Sequence, residues 1–251
     1  IVNGGVFMSH HLVIARELDF TYPDGTTGLE KVSFRITHGE SVALVGANGA
    51  GKSTLLMHMS GCLLPSGGSM QVGDLPVTKQ TVSTIRRSVG MVFQDSDDQL
   101  FMPTVFEDAA FGPLNLGLDP EQVRPVVEEA LQRVDALHLK DRPPYKLSVG
   151  EKRRVAIAAV LAMSPDILVM DEPSSSLDPR GRRELIALLK TFEHTKIIAT
   201  HDLDLALELC PRTIVLCKGR VLADGLTTDI FADKTLLSKS RLEKPLSMQN
   251  C

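Results

Sequence analysis

SVALVGANGAGKSTLLMHMSG, residues 41–61, decides how the rest of the chain is read. Ser41 to Val45 is a short apolar run of strand character. A glycine-rich loop follows, Gly46-Ala47-Asn48-Gly49-Ala50-Gly51-Lys52-Ser53-Thr54, and from Ser53 the pattern turns helical and closes at Gly61. The loop fits GxxxxGK[ST] in the strand–loop–helix context that this pattern requires. Glycines let the backbone curl until several N–H groups converge on one anion. The helix adds its positive N-terminal end. The stretch Gly46, Asn48, Gly49, Ala50 and Gly51 is therefore predicted to cradle phosphates. Lys52 supplies a point charge for the β- and γ-phosphates, Ser53 a hydroxyl for Mg²⁺, and Thr54 a hydrogen bond to the α-phosphate. Chance alone would give this pattern in roughly one chain in a hundred of this size, so a nucleoside triphosphate site is the reading.

A second motif lies downstream. Ile167-Leu168-Val169-Met170 is an apolar strand that ends in Asp171-Glu172. Two carboxylates at a buried strand end are costly unless they meet a cation or a reacting water. Asp171 is predicted to hold the Mg²⁺ shell and Glu172 to polarise the attacking water as a general base.

The surrounding pattern is α/β. Leu12 to Tyr22 and Leu29 to Ile36 alternate apolar and polar residues around the turn Pro23-Asp24-Gly25, predicting an antiparallel hairpin. Met70 to Val77 and Ser88 to Phe93 read as further strands, then Ile167 to Met170, Lys196 to Thr200 and Thr213 to Leu216. Helical periodicity runs from Phe106 to Met163, and again near Arg180 to Phe192 and Leu203 to Glu208. Strands alternating with helices predict a mainly parallel core sheet covered on both faces. The resulting division is a nucleotide-binding core with an antiparallel part over 8–94 and a helical subdomain over 95–165. A second core segment covers 166–225 and a C-terminal tail 226–251, for which a solvated final helix is expected. Met8 reads as the native start, with residues 1–7 a non-native remnant.

Composition narrows the classes. The chain has 251 residues, 43% hydrophobic and 23% charged, which fits an ordered globular protein. Aromatics are only 4%, with no Trp, and the net charge is −4, so a nucleic-acid partner is disfavoured. No apolar run reaches the roughly 18 residues of a membrane span. The first residues lack the basic and apolar regions of a signal peptide. Cys62, Cys210, Cys217 and Cys251 show no zinc-ligand spacing and read as reduced thiols. His10-His11 has no ligand partners nearby in sequence.

Further motifs stand in a fixed order around these two. Gln94 follows the strand Val89 to Phe93. Leu147-Ser148-Val149-Gly150-Glu151 precedes a strongly helical stretch. Ser175-Ser176-Leu177-Asp178 follows the acidic strand, and His201 ends another strand in IIATHD. With these motifs the chain resembles the ATP-binding cassette (ABC) ATPases from about Leu12 to Gly225. The resemblance implies a P-loop ABC fold, ATP and Mg²⁺ as ligands, and hydrolysis of ATP to ADP and phosphate. It also implies residue roles. Tyr22 matches the aromatic that stacks on adenine. Gln94 matches the residue that senses Mg²⁺ and the γ-phosphate. Ser148 and Gly150 match the signature that closes over ATP bound to the other protomer. Asp178 matches the loop crossing the dimer seam, and His201 the residue that orients the γ-phosphate and the attacking water. One residue departs from the pattern: Val149 stands where the family signature has a first glycine. Glycine permits close backbone approach, so Val149 is expected to loosen the closed dimer or reshape the turn.

The segment FQDSDDQLFMPTVFEDAAFGPLNLGL, Phe93 to Leu118, crowds Phe101, Met102, Val105, Phe106 and Phe111 after Gln94, beside Asp95, Asp97 and Asp98. It reads as a groove for a helix of a membrane partner. With KLSVGEKRRVAIAAVLAM and THDLDLALELC it resembles the ATPases of energy-coupling-factor (ECF) transporters, nearest to their cobalt and nickel uptake branch. That resemblance implies a homodimer, or a heterodimer with a close relative, on the cytoplasmic face of the membrane. It implies a transmembrane scaffold protein and a substrate-capture membrane protein as partners, with the metal as cargo that this subunit does not bind. A vitamin is the alternative cargo. A soluble ABC ATPase of DNA repair or translation is the alternative class. Repair types carry a long coiled-coil insert and translation types two cassettes; this chain shows no sustained heptads and one cassette. A detached exporter cassette finds no support in the sequence.

Overall fold

The structure, a computed structural model, describes residues 13–249. The expectations for residues 1–7, Met8, His10-His11, Leu12 and Cys251 lie outside the described residues. β1 (Val13–Thr21) and β2 (Thr27–Ile36) form the antiparallel hairpin expected from their alternation. Asp24 Oδ1 accepts from Thr26 N to shape its turn. β3 (Ser41–Val45) then feeds the glycine loop and α1 (Lys52–Met59). β4 (Gly67–Val72) and β5 (Leu75–Pro76) follow, and they correct the single strand expected over 70–77. The chain turns at Gly73, with φ 57, and the two short strands pair antiparallel.

Next come α2 (Val82–Ser88) and β6 (Val89–Val92). Ser88 was expected to open the strand; it closes α2 instead. That helix buries only Ile85, so it leaves no apolar period in the sequence. The helical stretch resolves into α3 (Val105–Asn115), α4 (Pro120–Arg133) and α5 (Val149–Leu161). Thr104 caps α3 and Asp119 caps α4, whose Val123, Val127, Ala130 and Leu131 form one buried face. Pro125 sits inside α4, at the cost of one helical hydrogen bond.

The chain then alternates through β7 (Ile167–Asp171), α6 (Pro179–Lys190), β8 (Thr195–Ala199), α7 (Leu203–Leu209) and β9 (Arg212–Cys217). It finishes with β10 (Arg220–Leu226), α8 (Thr227–Ala232) and α9 (Lys234–Lys239). The four-stranded sheet has the order β2-β1-β4-β5, and the six-stranded sheet β10-β9-β3-β8-β7-β6. Every pairing in the larger sheet is parallel except β9 with β10. β10 is missing from the sequence reading because its alternating residues are only half-buried to exposed.

The period of two in the central strands fills both faces of this sheet. Val42, Leu44, Val169 and Ile197 point into a core shared with the antiparallel sheet and α1. Ala43, Val45, Leu168, Met170 and Ile198 point into the core under α5, α6 and α7. The tail is not one solvated helix: α8 and α9 bury Phe231 and Leu237 against that second core. No helix among the described residues is long and apolar enough to cross a membrane.

Candidate nucleotide site and signature groove

Parallel strands deliver their C-terminal ends to one edge, and most of the predicted residues gather there. A cavity of about 750 Å³ is lined by Tyr22, the loop from Gly46 to Thr54, Gln94, Asp171, Glu172 and His201. Two loop glycines are sterically required. A Cβ on Gly46 would sit 2.3 Å from the carbonyl oxygen of Leu216. Gly51, at φ 102, brings its Cα so near Gly28 that a Cβ would meet the Gly28 oxygen at 2.8 Å. Lys52 is buried, and its ammonium folds back over the loop to donate to Gly46 O at 2.8 Å and Ala47 O at 3.4 Å. It lies 3.9 Å from Glu172 Oε1.

Glu172 is 6% exposed and takes the left-handed backbone, φ 47. A non-glycine residue there is uncommon. The conformation swings its carboxylate from the end of β7 toward β8, where Oε2 accepts from His201 N at 3.1 Å and pairs with His201 Nδ1 at 2.7 Å. The imidazole is otherwise open, 66% exposed. Asp171 is 4% exposed, and burial pushes its carboxyl above the usual range, against the opposing Ser53 hydrogen bond and the charge of Lys52. Its Oδ1 has no hydrogen-bond partner among the described residues. An orphaned carboxylate oxygen beside a serine hydroxyl fits a hard cation such as Mg²⁺, which takes oxygen ligands.

Tyr22 lines the same cavity, half-buried and edge-on to Phe20 at 4.9 Å. Its hydroxyl is 2.7 Å from Thr54 Oγ1. The residues predicted for the base and for the α-phosphate are therefore bonded to each other. Gln94 is exposed at the rim, beyond the end of β6.

Ser148, Gly150 and Asp178 are not in this cavity. They line a separate groove of about 1000 Å³ between α5 and α6, with Val149 and Leu177. Ser148 caps α5 in a capping box: its Oγ accepts from Glu151 N, and Ser148 N donates to Glu151 Oε2 at 2.7 Å. Asp178 caps α6 by accepting from Gly181 N at 2.6 Å. Val149 is the first residue of α5 and is 57% exposed. A Cβ on Gly150 would meet only Leu177, at 3.8 Å.

The sequence reading missed Arg153. Its guanidinium is buried, donates to the carbonyls of Phe93 and Gln94, and reaches Ser175 Oγ at 3.2 Å. It thereby ties the segment after β6 to the segment after β7. Burial pulls its pKa down, opposed by Asp95 and Asp171. The signal was present: Arg153 shares one helical stripe with buried Ile157, Val160 and Leu161. It also missed Arg241 and Leu242, tail residues that line the nucleotide cavity.

Residues 29–175 match the family described as ABC transporter. A putative ABC transporter ATP-binding protein of Geobacter sulfurreducens is 63% identical over 244 residues, covering 97% of this chain and 98% of the relative. The energy-coupling factor transporter ATP-binding protein EcfA of Carboxydothermus hydrogenoformans is 47% identical, over 91% of this chain and 86% of its own. Among solved structures, cbiO1 from Clostridium perfringens, described as part of the ABC transporter complex cbiONQ, superposes with a TM-score of 0.79 at 40% identity. It covers 92% of this chain and 94% of its own. On its motifs, its fold and these matches, the chain belongs to the ABC transporter family, as an ATP-binding subunit that hydrolyses ATP to drive transport.

Proposed function

We propose that this chain is the energising subunit of an ECF-type importer for cobalt or nickel, working in pairs against a transmembrane scaffold at the cytoplasmic face of the membrane. The observation that carries the hydrolytic part is the constellation of Lys52, Glu172 and His201 at one strand edge. Glu172 Oε2, held by the His201 backbone and ring, acts as general base toward water attacking the γ-phosphate. Lys52 leaves the loop carbonyls to neutralise phosphate charge, and His201 orients the γ-phosphate and keeps the carboxylate aimed. Ser53, Asp171 and Gln94 would hold Mg²⁺, which supplies charge neutralisation when bound. Tyr22 turns from Thr54 to stack on adenine, releasing the Thr54 hydroxyl for the α-phosphate.

Two copies, or this chain and a close relative, complete each site. Ser148 and Gly150 bring the N-terminus of α5 to the partner's γ-phosphate, where free N–H groups and the helix dipole favour negative charge. Asp178 crosses the seam beside them. Closure on ATP and opening after hydrolysis then move whatever grips the insert.

The gripping surface is proposed at the start of the insert. Phe101, Phe111 and Leu114 are 63, 43 and 47% exposed, and the first two rings pack edge-on at 5.1 Å. Phe111 and Leu114 line a groove with Met102, Phe106 and Val123, and Phe101 adjoins it through its contact with Phe111. Asp108, buried, fixes the approach by accepting from Phe101 N and Met102 N. An apolar groove of this shape suits a helix from the scaffold, and the relatives named for energy-coupling factor and cbiONQ complexes support that partner. The metal cargo rests on the resemblance of residues 93–118 to the cobalt and nickel branch.

Burying one large apolar side chain is worth roughly 1.5–3 kcal/mol. Phe101→Asp is therefore expected to weaken docking to the scaffold by more than about tenfold, with labelled-ATP binding unchanged. Pull-down with the scaffold, paired with uptake of labelled Co²⁺ and Ni²⁺ by cells holding the whole transporter, tests both parts. Normal docking of the variant ends the groove assignment. Loss of vitamin uptake, with metal uptake intact, when the protein is deleted ends the cargo assignment alone.

A further inference from the structure

The nucleotide cavity has a wall that no phosphate-loop motif supplies: Arg241 and Leu242, which reach it from the far end of the chain. The segment carrying them is held on both sides. Upstream, α8 and α9 are anchored by buried Phe231 and Leu237, and the buried Ser240 hydroxyl donates to Leu236 O at 2.6 Å. The chain then reverses at Arg241, φ 56, with Arg241 N donating to Ser238 O and Leu242 N to Leu237 O. Downstream, Met248 packs against the core. Leu246 N, Ser247 N and Ser247 Oγ all donate to the carboxylate of Asp204. Asp204 is in the first turn of α7, three residues after His201. Residues 240–248 thus form a strap from the end of α9 to the start of α7, and it passes the cavity on the way.

The charge balance shows what the strap brings. Apart from Arg241, Lys52 is the one cationic side chain of the lining among the described residues, beside Asp171 and Glu172, and with Mg²⁺ offsetting Asp171 a polyphosphate still outnumbers the positive groups unless Arg241 joins them. Arg241 has no ion-pair partner among the described residues. Its guanidinium is permanently charged, and its fork of donors matches phosphate oxygens. A non-glycine residue in the left-handed region is uncommon. Here the cap of α9 and the Asp204 anchor hold it in place.

We propose that Arg241 is a phosphate-binding residue contributed in cis by the C-terminal strap, with Asp204 as the positioning residue that ties the strap to α7. The inference rests on reading the cavity around Lys52 as the nucleotide site. The test is equilibrium binding of a fluorescent ATP analogue with Mg²⁺ to the full-length chain, across a range of ionic strength. Arg241→Gln is expected to raise Kd by about fivefold to tenfold and to flatten the salt dependence, because a screened charge contact has been removed. Arg241→Lys should restore the salt dependence and part of the affinity, since it keeps the charge but not the fork, and Lys244→Gln, outside the cavity, should bind as the parent does.

Asp204→Ala should weaken binding to a similar degree, and adding it to Arg241→Gln should cause little further loss, since both changes remove one contact. Melting temperatures of the Arg241 variants should match the parent, which separates a contact from a folding defect. Parent-like affinity and salt slope in Arg241→Gln would overturn the proposal, as would a salt slope in Arg241→Lys no steeper than that of Arg241→Gln. Additive losses with Asp204→Ala would overturn the positioning role. Lys52→Ala is the control for the underlying reading. If it leaves binding intact, the cavity is not the nucleotide site; if it abolishes binding while Arg241→Gln does not weaken it, only the strap proposal fails.

Discussion

The nucleotide cavity and the signature groove are built on opposite terms. In the first, Lys52, Asp171 and Glu172 are buried and held within reach of one another, and an oxygen of Asp171 is left without a partner among the described residues. In the second, Ser148 and Asp178 spend their side-chain bonds on capping their own helices, and Val149 faces solvent. A buried, charged and incompletely satisfied set suits the proposed reaction on a polyanion. A capped, exposed set is stable by itself and offers helix N-terminal N–H groups to something that arrives. The difference matches the proposed division: one region acts on its own nucleotide, the other on a partner's.

The largest effect should come from the buried half. Glu172→Gln removes the proposed base but keeps the shape, and general-base loss typically costs a factor of about 10²–10⁴. Turnover should fall by at least about 100-fold, MgATP should still bind, and gel filtration with ATP should show a persistent dimer. Hydrolysis at the parental rate would break the assignment, and with it the contrast between the two regions.

The same contrast explains what the sequence made legible. The glycine loop and the acidic strand end announce themselves because buried charge and tight backbone approach tolerate few residue types, as Gly46 against the Leu216 carbonyl shows. The parallel sheet was readable because its strands are apolar on both faces. β10 and α2 were not, because each buries too little to leave a period. The strap of residues 240–248 was missed for another reason: its anchors are backbone bonds to Asp204 and a positive φ at Arg241, and neither selects a recognisable residue type.

A smaller effect is expected in the exposed half. Val149 makes no side-chain hydrogen bond and projects from the first turn of α5 into the signature groove. Replacing it with glycine allows closer backbone approach by an arriving nucleotide, and the first helical position tolerates glycine better than the interior. Val149→Gly should leave ATP-driven dimerisation unchanged or tighten it by about threefold, measured by light scattering against ATP concentration. A marked fall in ATPase activity would sharpen the comparison differently, by showing that the valine is a working part of this segment.

The smallest effect concerns pH, and it reaches the cavity from below. His58 is fully buried on α1, its Nδ1 2.7 Å from Thr54 O and its ring edge-on to Phe20 at 4.7 Å. Burial holds its pKa below the ordinary value of 6.5. The folded protein therefore keeps this ring neutral at a pH where the unfolded chain already protonates it. The unfolded state then binds more protons, so stability falls as pH drops below about 6.5, by at most about 1.4 kcal/mol per pH unit for one such group. The contribution is fully present above that value. His58 is linked to the cavity lining through Thr54, whose hydroxyl is bonded to Tyr22. His58→Gln keeps an amide able to bond Thr54 O and cannot titrate. Urea midpoints at neutral and mildly acidic pH should drop less in this variant than in the parent. Equal drops would show that the ring is not the group being protonated and that the acid sensitivity lies elsewhere in the molecule.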